Sequence, residues 1–179
     1  MTVLVSIAFL VLTAAVVFLF AIVGELASRI PDADSAGAGH ATALEDFHHG
    51  ARAASWPAVL PGADEGRRTV LFVLSTACST CNLVAAELVE HPSRDVGGRL
   101  GLVVVSPTVS IGEEFIDQQN LHDVPHFVDE GGQWVAGNFG VTLSPAALVF
   151  EDGELVRAFT FSSVTLLRDR IDSVKEGAR

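Results

Sequence analysis

The sequence predicts an α/β domain, a central mixed sheet with flanking helices, preceded by one transmembrane helix. Three observations carry this expectation. Residues 3–23 contain no charge, and only Ser6 and Thr13 among them are polar. From Thr69 onward, apolar β-branched runs alternate with stretches of helical pattern and end in two runs flanking Asp152-Gly153. The only two cysteines stand three residues apart, as Cys78-Ser79-Thr80-Cys81, between a predicted strand and a predicted helix.

The apolar run comes first. Its 21 residues extend about 31 Å as a helix at about 1.5 Å per residue, matching a hydrocarbon core of ~30 Å. A signal peptide needs a basic leader and a shorter apolar core, and no basic side chain precedes this run. A retained anchor over residues 1–27 is therefore expected. No cysteine near it suits a lipoprotein anchor. Charge says little about orientation, because Glu25, Arg29, Asp32 and Asp34 follow the run with no excess of basic residues.

Residues 28–55, rich in Ala, Gly and Asp, read as a flexible tether, and residues 56–179 as the folded domain. Trp56 to Pro61 reads as an extended edge segment, since Pro57 and Pro61 cannot donate within a central strand. Thr69–Ser75 is a buried strand, and Ser79–Glu90 a helix with Pro92 just beyond it. Residues 102–106 form a second strand, apolar enough to be covered on both faces. Ser110 is placed to cap a helix over 111–119, with Glu113 three residues on. A short strand over 124–128 and a helical segment over 134–139 follow. Residues 146–150 and 155–161 form a hairpin around Asp152-Gly153. Ser163 is placed to cap a last helix over 164–175.

The cysteine spacing points to redox chemistry. A thiolate at a helix N-terminus is stabilised by the dipole and by unpaired N–H groups, which makes Cys78 the expected nucleophile. Cys81, one turn further on, can attack and resolve a mixed disulfide. A dithiol domain of this kind suits an oxidising compartment, which places it outside the cytoplasm.

On these elements the chain resembles the membrane-anchored branch of the thioredoxin superfamily. It is similar in particular to the methylamine-utilisation MauD family and related TlpA-like disulfide oxidoreductases. The likeness lies in residues 69–81, 114–121 and 138–153, together with the leading apolar run. It implies a thioredoxin-like fold and a cis-proline at Ser144-Pro145 beside the cysteines. The backbone there, with Ala77, would hold an extended substrate. Three features depart from the general thioredoxin pattern. Phe72 stands where a buried carboxylate is kept, Ala77 replaces an aromatic residue, and Ser79-Thr80 contains no proline. These bear on reduction potential and proton transfer.

Other candidates are weaker. A zinc site would need four ligands, and His122 with His126 is separated from the cysteine pair by a strand and a helix. No metal or cofactor is expected. His40, His48 and His49 read as solvated tether residues, and His91 as a complement to a helix C-terminus. Glu87 reads as a solvated helix face rather than an acid–base partner. Trp134 and Phe139 read as core beside the proline loop. The net charge is −11 with a single lysine, Lys175, which excludes a phosphate-neutralising surface and hence nucleic acid as a partner.

The expected activity is that of a membrane-tethered thiol–disulfide oxidoreductase. It would act on an exported protein with cysteines, as in methylamine dehydrogenase maturation, with a membrane electron-transfer partner conceivable. Two alternatives stand beside it: a reductase for cytochrome c maturation, and a thioredoxin-like binding module without turnover.

Overall fold

Strand β2 (Thr69–Ser75) is covered on both faces from Thr69 to Leu74, as its unbroken apolar run requires. It pairs in parallel with β3 (Arg99–Ser106) and antiparallel with β5 (Ala146–Glu151). β3 carries β4 (His126–Glu130) in parallel, and β5 carries β6 (Glu154–Phe161) antiparallel. A short strand, β1 (Ala41–Ala43), pairs antiparallel with β6, giving the order β1-β6-β5-β2-β3-β4. The helices are α1 (Ser79–Glu90), α2 (Val109–Gln118), α3 (Gln133–Phe139) and α4 (Val164–Glu176). This mixed sheet with flanking helices is a thioredoxin-like α/β fold.

These coordinates are a computed structural model describing residues 41–63, 67–90 and 96–176, together with Ser6 and Thr13. The chain divides into two units, Met1–Gly37 and Ala38–Arg179, and every element above belongs to the second. Apart from Ser6 and Thr13, the apolar run 3–23 lies outside the described residues, as do His40, His91 and Pro92. Among the described residues no helix is long and apolar enough to cross a membrane.

Side-chain alternation along β2 divides the core. Val70, Phe72 and Leu74 face a cluster with Cys81, Val84 and Leu88 of α1, Ile116 of α2 and Leu167 of α4. Leu71 and Val73 face a second cluster with Val135 and Phe139 of α3 and Leu60. Trp134 packs edge-on against Phe139 and Phe127, at centroid distances of 5.2 and 5.6 Å. Trp134 and Phe139 are core residues, as the sequence suggests.

Several elements differ from the sequence reading. The segment taken as tether contributes β1, and Leu44, Phe47, Ala51 and Ala53 pack on the second cluster. His48 is exposed, as expected of a solvated residue, yet it is tied to the fold. Its backbone N–H donates to the Phe139 carbonyl at 2.9 Å, and its Nδ1 lies 3.2 Å from the Asn138 carbonyl. Trp56 to Pro61 is not a strand. Instead, Trp56 sits edge-on to Phe150, with centroids 5.2 Å apart, and its indole N–H donates to the Pro61 carbonyl.

The cap of α2 is Thr108, whose hydroxyl accepts the Ile111 N–H, rather than Ser110. β4 begins at His126 rather than 124, because the Val124 N–H is already used in a turn to Leu121 and Pro125 has none. At the hairpin, Asp152 and Gly153 both have positive φ, 51° and 82°, as a tight primed turn demands.

Candidate active site

The site lies at the C-terminal end of β2. There Thr76 donates its N–H to the Val105 carbonyl at 3.1 Å, which holds the turn against β3. Ala77 is exposed and donates its N–H to the Ser75 hydroxyl at 3.3 Å. Cys78 donates its N–H to the Ser75 carbonyl at 3.2 Å, and α1 starts at the next residue. The Cys78 side chain is partly exposed and the Cys81 side chain fully buried; both are free thiols. A helix begun directly after an apolar strand places the first cysteine at the surface and turns the second into the core.

Two backbone N–H groups face the sulfurs. The Cys81 N–H lies 3.2 Å from Cys78 Sγ, and the Ser75 N–H lies 3.3 Å from Cys81 Sγ. The first sets a backbone donor against Cys78 Sγ, as the open N–H groups of a helix N-terminus can. Burial pushes the Cys81 thiol up to about 12, with the neighbouring Cys78 adding to the rise and the Ser75 N–H opposing it. At neutral pH, Cys81 therefore keeps its proton until a reaction step removes it.

The peptide bond Ser144-Pro145 is cis, and Cys78 Sγ lies 3.5 Å from the Ser144 carbonyl oxygen. The structure thus brings Cys78, Cys81, Ser144 and Pro145 together, with Ala77 on the exposed rim. Phe72 is fully buried against Phe161, centroids 4.9 Å apart, in the same cluster as Cys81. A carboxylate buried there would lose its hydration. Phe72 adds apolar bulk to the cluster that holds Cys81 and offers no proton acceptor.

Other residues fall elsewhere. Glu87 binds the N-terminus of α4. Its carboxylate accepts the Val164 and Thr165 N–H groups at 2.8 and 3.0 Å and the Ser163 and Thr165 hydroxyls at 3.0 and 2.8 Å. It is neither a solvated face nor an acid–base partner of Cys78, and Ser163 serves α4 as a donor to Glu87. His122 Nε2 lies 3.2 Å from Asp117, and His126 Nδ1 lies 2.9 Å from the Val124 carbonyl. Among the described residues no three His, Cys, Asp or Glu side chains gather as a metal site. Ser75, which touches both cysteines through its backbone, escaped the sequence reading. Its one signal is a polar residue ending an apolar strand three positions before Cys78.

No protein-family model matches the sequence, and no curated protein matches it. Similar solved structures exist. One is a secreted Mycobacterium tuberculosis disulfide oxidoreductase homologous to E. coli DsbE, at 21% identity, 61% of this chain, 83% of that chain and TM-score 0.45. Another is a secreted thiol-disulfide isomerase from Corynebacterium glutamicum, at 19% identity, 60% and 68% coverage and TM-score 0.44. A third is StoA from Bacillus subtilis, at 17% identity, 76% and 98% coverage and TM-score 0.41. The chemistry of this chain is read below from its own cysteines.

Proposed function

We propose that the chain is a membrane-tethered thiol–disulfide oxidoreductase acting outside the cytoplasm on an exported protein with cysteines. One observation carries the redox reading: a partly exposed Cys78 sulfur, 3.5 Å from the Ser144 carbonyl, is followed one helical turn later by a fully buried Cys81. An inert pair would have no reason to present one thiol and sequester the other beside a backbone edge.

In the reducing direction, the Cys78 thiolate attacks one sulfur of a substrate disulfide. A Cys78–substrate disulfide forms, and the other substrate sulfur leaves as a thiolate. Cys81 then attacks Cys78 Sγ, loses its proton and expels the second substrate thiol. Two electrons have passed to the substrate, leaving a Cys78–Cys81 disulfide. A dithiol electron-transfer partner in the membrane returns it to the reduced form. Run in reverse, the same steps oxidise a substrate dithiol. The Ser144 backbone is the edge on which an extended substrate strand pairs.

The membrane tether rests on the uncharged run 3–23, and the extracytoplasmic side on the compartment in which dithiol exchange serves protein maturation. The likeness to the MauD family favours a dedicated maturation partner. With the full-length protein in detergent, Cys78 is expected to be alkylated faster than Cys81 near neutral pH. Turnover of a disulfide-linked peptide should be abolished by Cys78→Ser. Undiminished turnover in that variant contradicts the redox reading. Recovery of the intact protein in the soluble fraction without detergent contradicts the tether.

A further inference from the structure

A cavity of about 170 Å³ lies directly beside the cysteine site. Val73, Val105, Ala136 and Val141 supply apolar wall, and Ser75 and Ser144 are part of its lining. Those two serines are the same residues whose carbonyls meet the Cys78 N–H at 3.2 Å and the Cys78 thiol at 3.5 Å. Cavity and reacting sulfur therefore share a border. No charged side chain lines the cavity.

We propose that this cavity is a specificity pocket for an uncharged aliphatic side chain of the substrate, within two residues of the cysteine that reacts with Cys78. The proposal rests on the redox reading above and names what that site selects. Size fits, because an apolar cavity of about 150 Å³ accommodates a benzene-sized group, so a leucine-sized chain can enter. Reach fits, because an extended strand advances about 3.3 Å per residue. A chain paired on the Ser144 backbone therefore brings a neighbour of its cysteine to the pocket. Chemistry fits, because a pocket walled by valines, Ala136 and Leu143, with hydroxyls on Ser75, Thr142 and Ser144 and no charged side chain, favours an uncharged occupant and penalises a charge that finds no partner.

Two consecutive glycines line the pocket. Gly131 and Gly132 have φ of 68° and 70°, where side chains are disfavoured. A Cβ on Gly132 would press on the pocket wall, 3.1 Å from Val105 Cγ1.

The test uses the full-length protein in detergent, in its dithiol form. The substrates are glycine-rich peptides with a single cysteine in mixed disulfide with a coloured thiol. Leucine, phenylalanine or aspartate is placed in turn at each position from two before to two after the cysteine. A small disulfide reagent without side chains is the control. The expected result is one position at which leucine raises the second-order rate constant for release of the coloured thiol by about tenfold or more over glycine, while aspartate does not. Ala136→Leu, which fills the pocket, should bring that leucine-to-glycine ratio to about one. Val105→Ala, which enlarges it, should shift preference toward phenylalanine. Equal rates for leucine and glycine at every position, with the small disulfide still reacting, overturn the pocket and leave the redox reading standing. An unchanged ratio in both variants also overturns the pocket. Failure of the small disulfide to react with wild-type protein overturns the redox reading and the pocket with it.

Discussion

The Glu87 carboxylate accepts the Val164 backbone N–H at 2.8 Å, so the helix that carries the cysteines caps the last helix of the fold. Thr165 and Ser163 complete the cap through one further N–H and two hydroxyls. The contact ties α1 to α4 on the face where Phe72 and Cys81 are buried.

Replacing Glu87 by Ala should therefore cost about 0.5–2 kcal/mol, the range of a lost N-cap. Burial pushes the Glu87 carboxyl up, but the hydrogen bonds from Val164, Thr165 and Ser163 outweigh it and hold the group below its ordinary value. With the folded value below the unfolded one, this stabilisation is complete above the unfolded carboxylate pKa of about 4.3 and fades as pH falls through the folded value. Denaturant midpoints measured from neutral to acid pH should show Glu87→Gln losing less stability in that range than the wild type. Parallel curves would show that the carboxylate is not the cap.

Gly112 lets α2 lie close on β4. A Cβ there would stand 2.4 Å from Val128 Cγ1 and 3.3 Å from Ser106 Cβ, and Val128 is itself buried. Gly112→Ala gains helix propensity but forces this contact apart, so a net loss of about 1–3 kcal/mol is expected. Urea unfolding checks it; a stabilised variant would show that the helix can lift at no cost.

Cys81 gives stability an alkaline limit. Burial and the neighbouring Cys78 raise its thiol from 9.0 to about 12. A folded value above the unfolded one means that stability is fully present below about pH 9 and is lost as pH rises toward the folded value. The slope is on the order of 1 kcal/mol per pH unit. The chain has no tyrosine and a single lysine, so few other groups titrate in that window. Cys81→Ala should flatten the fall in stability above about pH 9. An equally steep fall in the variant contradicts the buried, protonated thiol.

What the sequence revealed follows from how local its signals are. β2, α1 and the Asp152-Gly153 hairpin are written in apolar runs and turn residues, and they stand where expected. The cysteine pair and the cis bond at Ser144-Pro145 are also where the motif and the family likeness put them. Glu87 was misread because its partners, Ser163 to Thr165, lie some 76 to 78 residues away, and no local pattern announces a cap supplied by another helix. β1 was missed for a similar reason. Three residues of weak strand character at Ala41–Ala43 are ordered by pairing with Phe159 to Phe161, not by their own propensity.

The assigned roles of Cys78 and Cys81 are tested most directly by trapping in membranes. In Cys81→Ser the exposed Cys78 can still attack a partner disulfide, but no second thiol remains to release it, so mixed disulfides should accumulate. In Cys78→Ser the fully buried Cys81 has no access to an incoming disulfide. Adducts should be absent when both variants are compared on gels run without reductant. Adducts in Cys81→Ser alone are the predicted result. Equal trapping by both variants, or none by either, contradicts it.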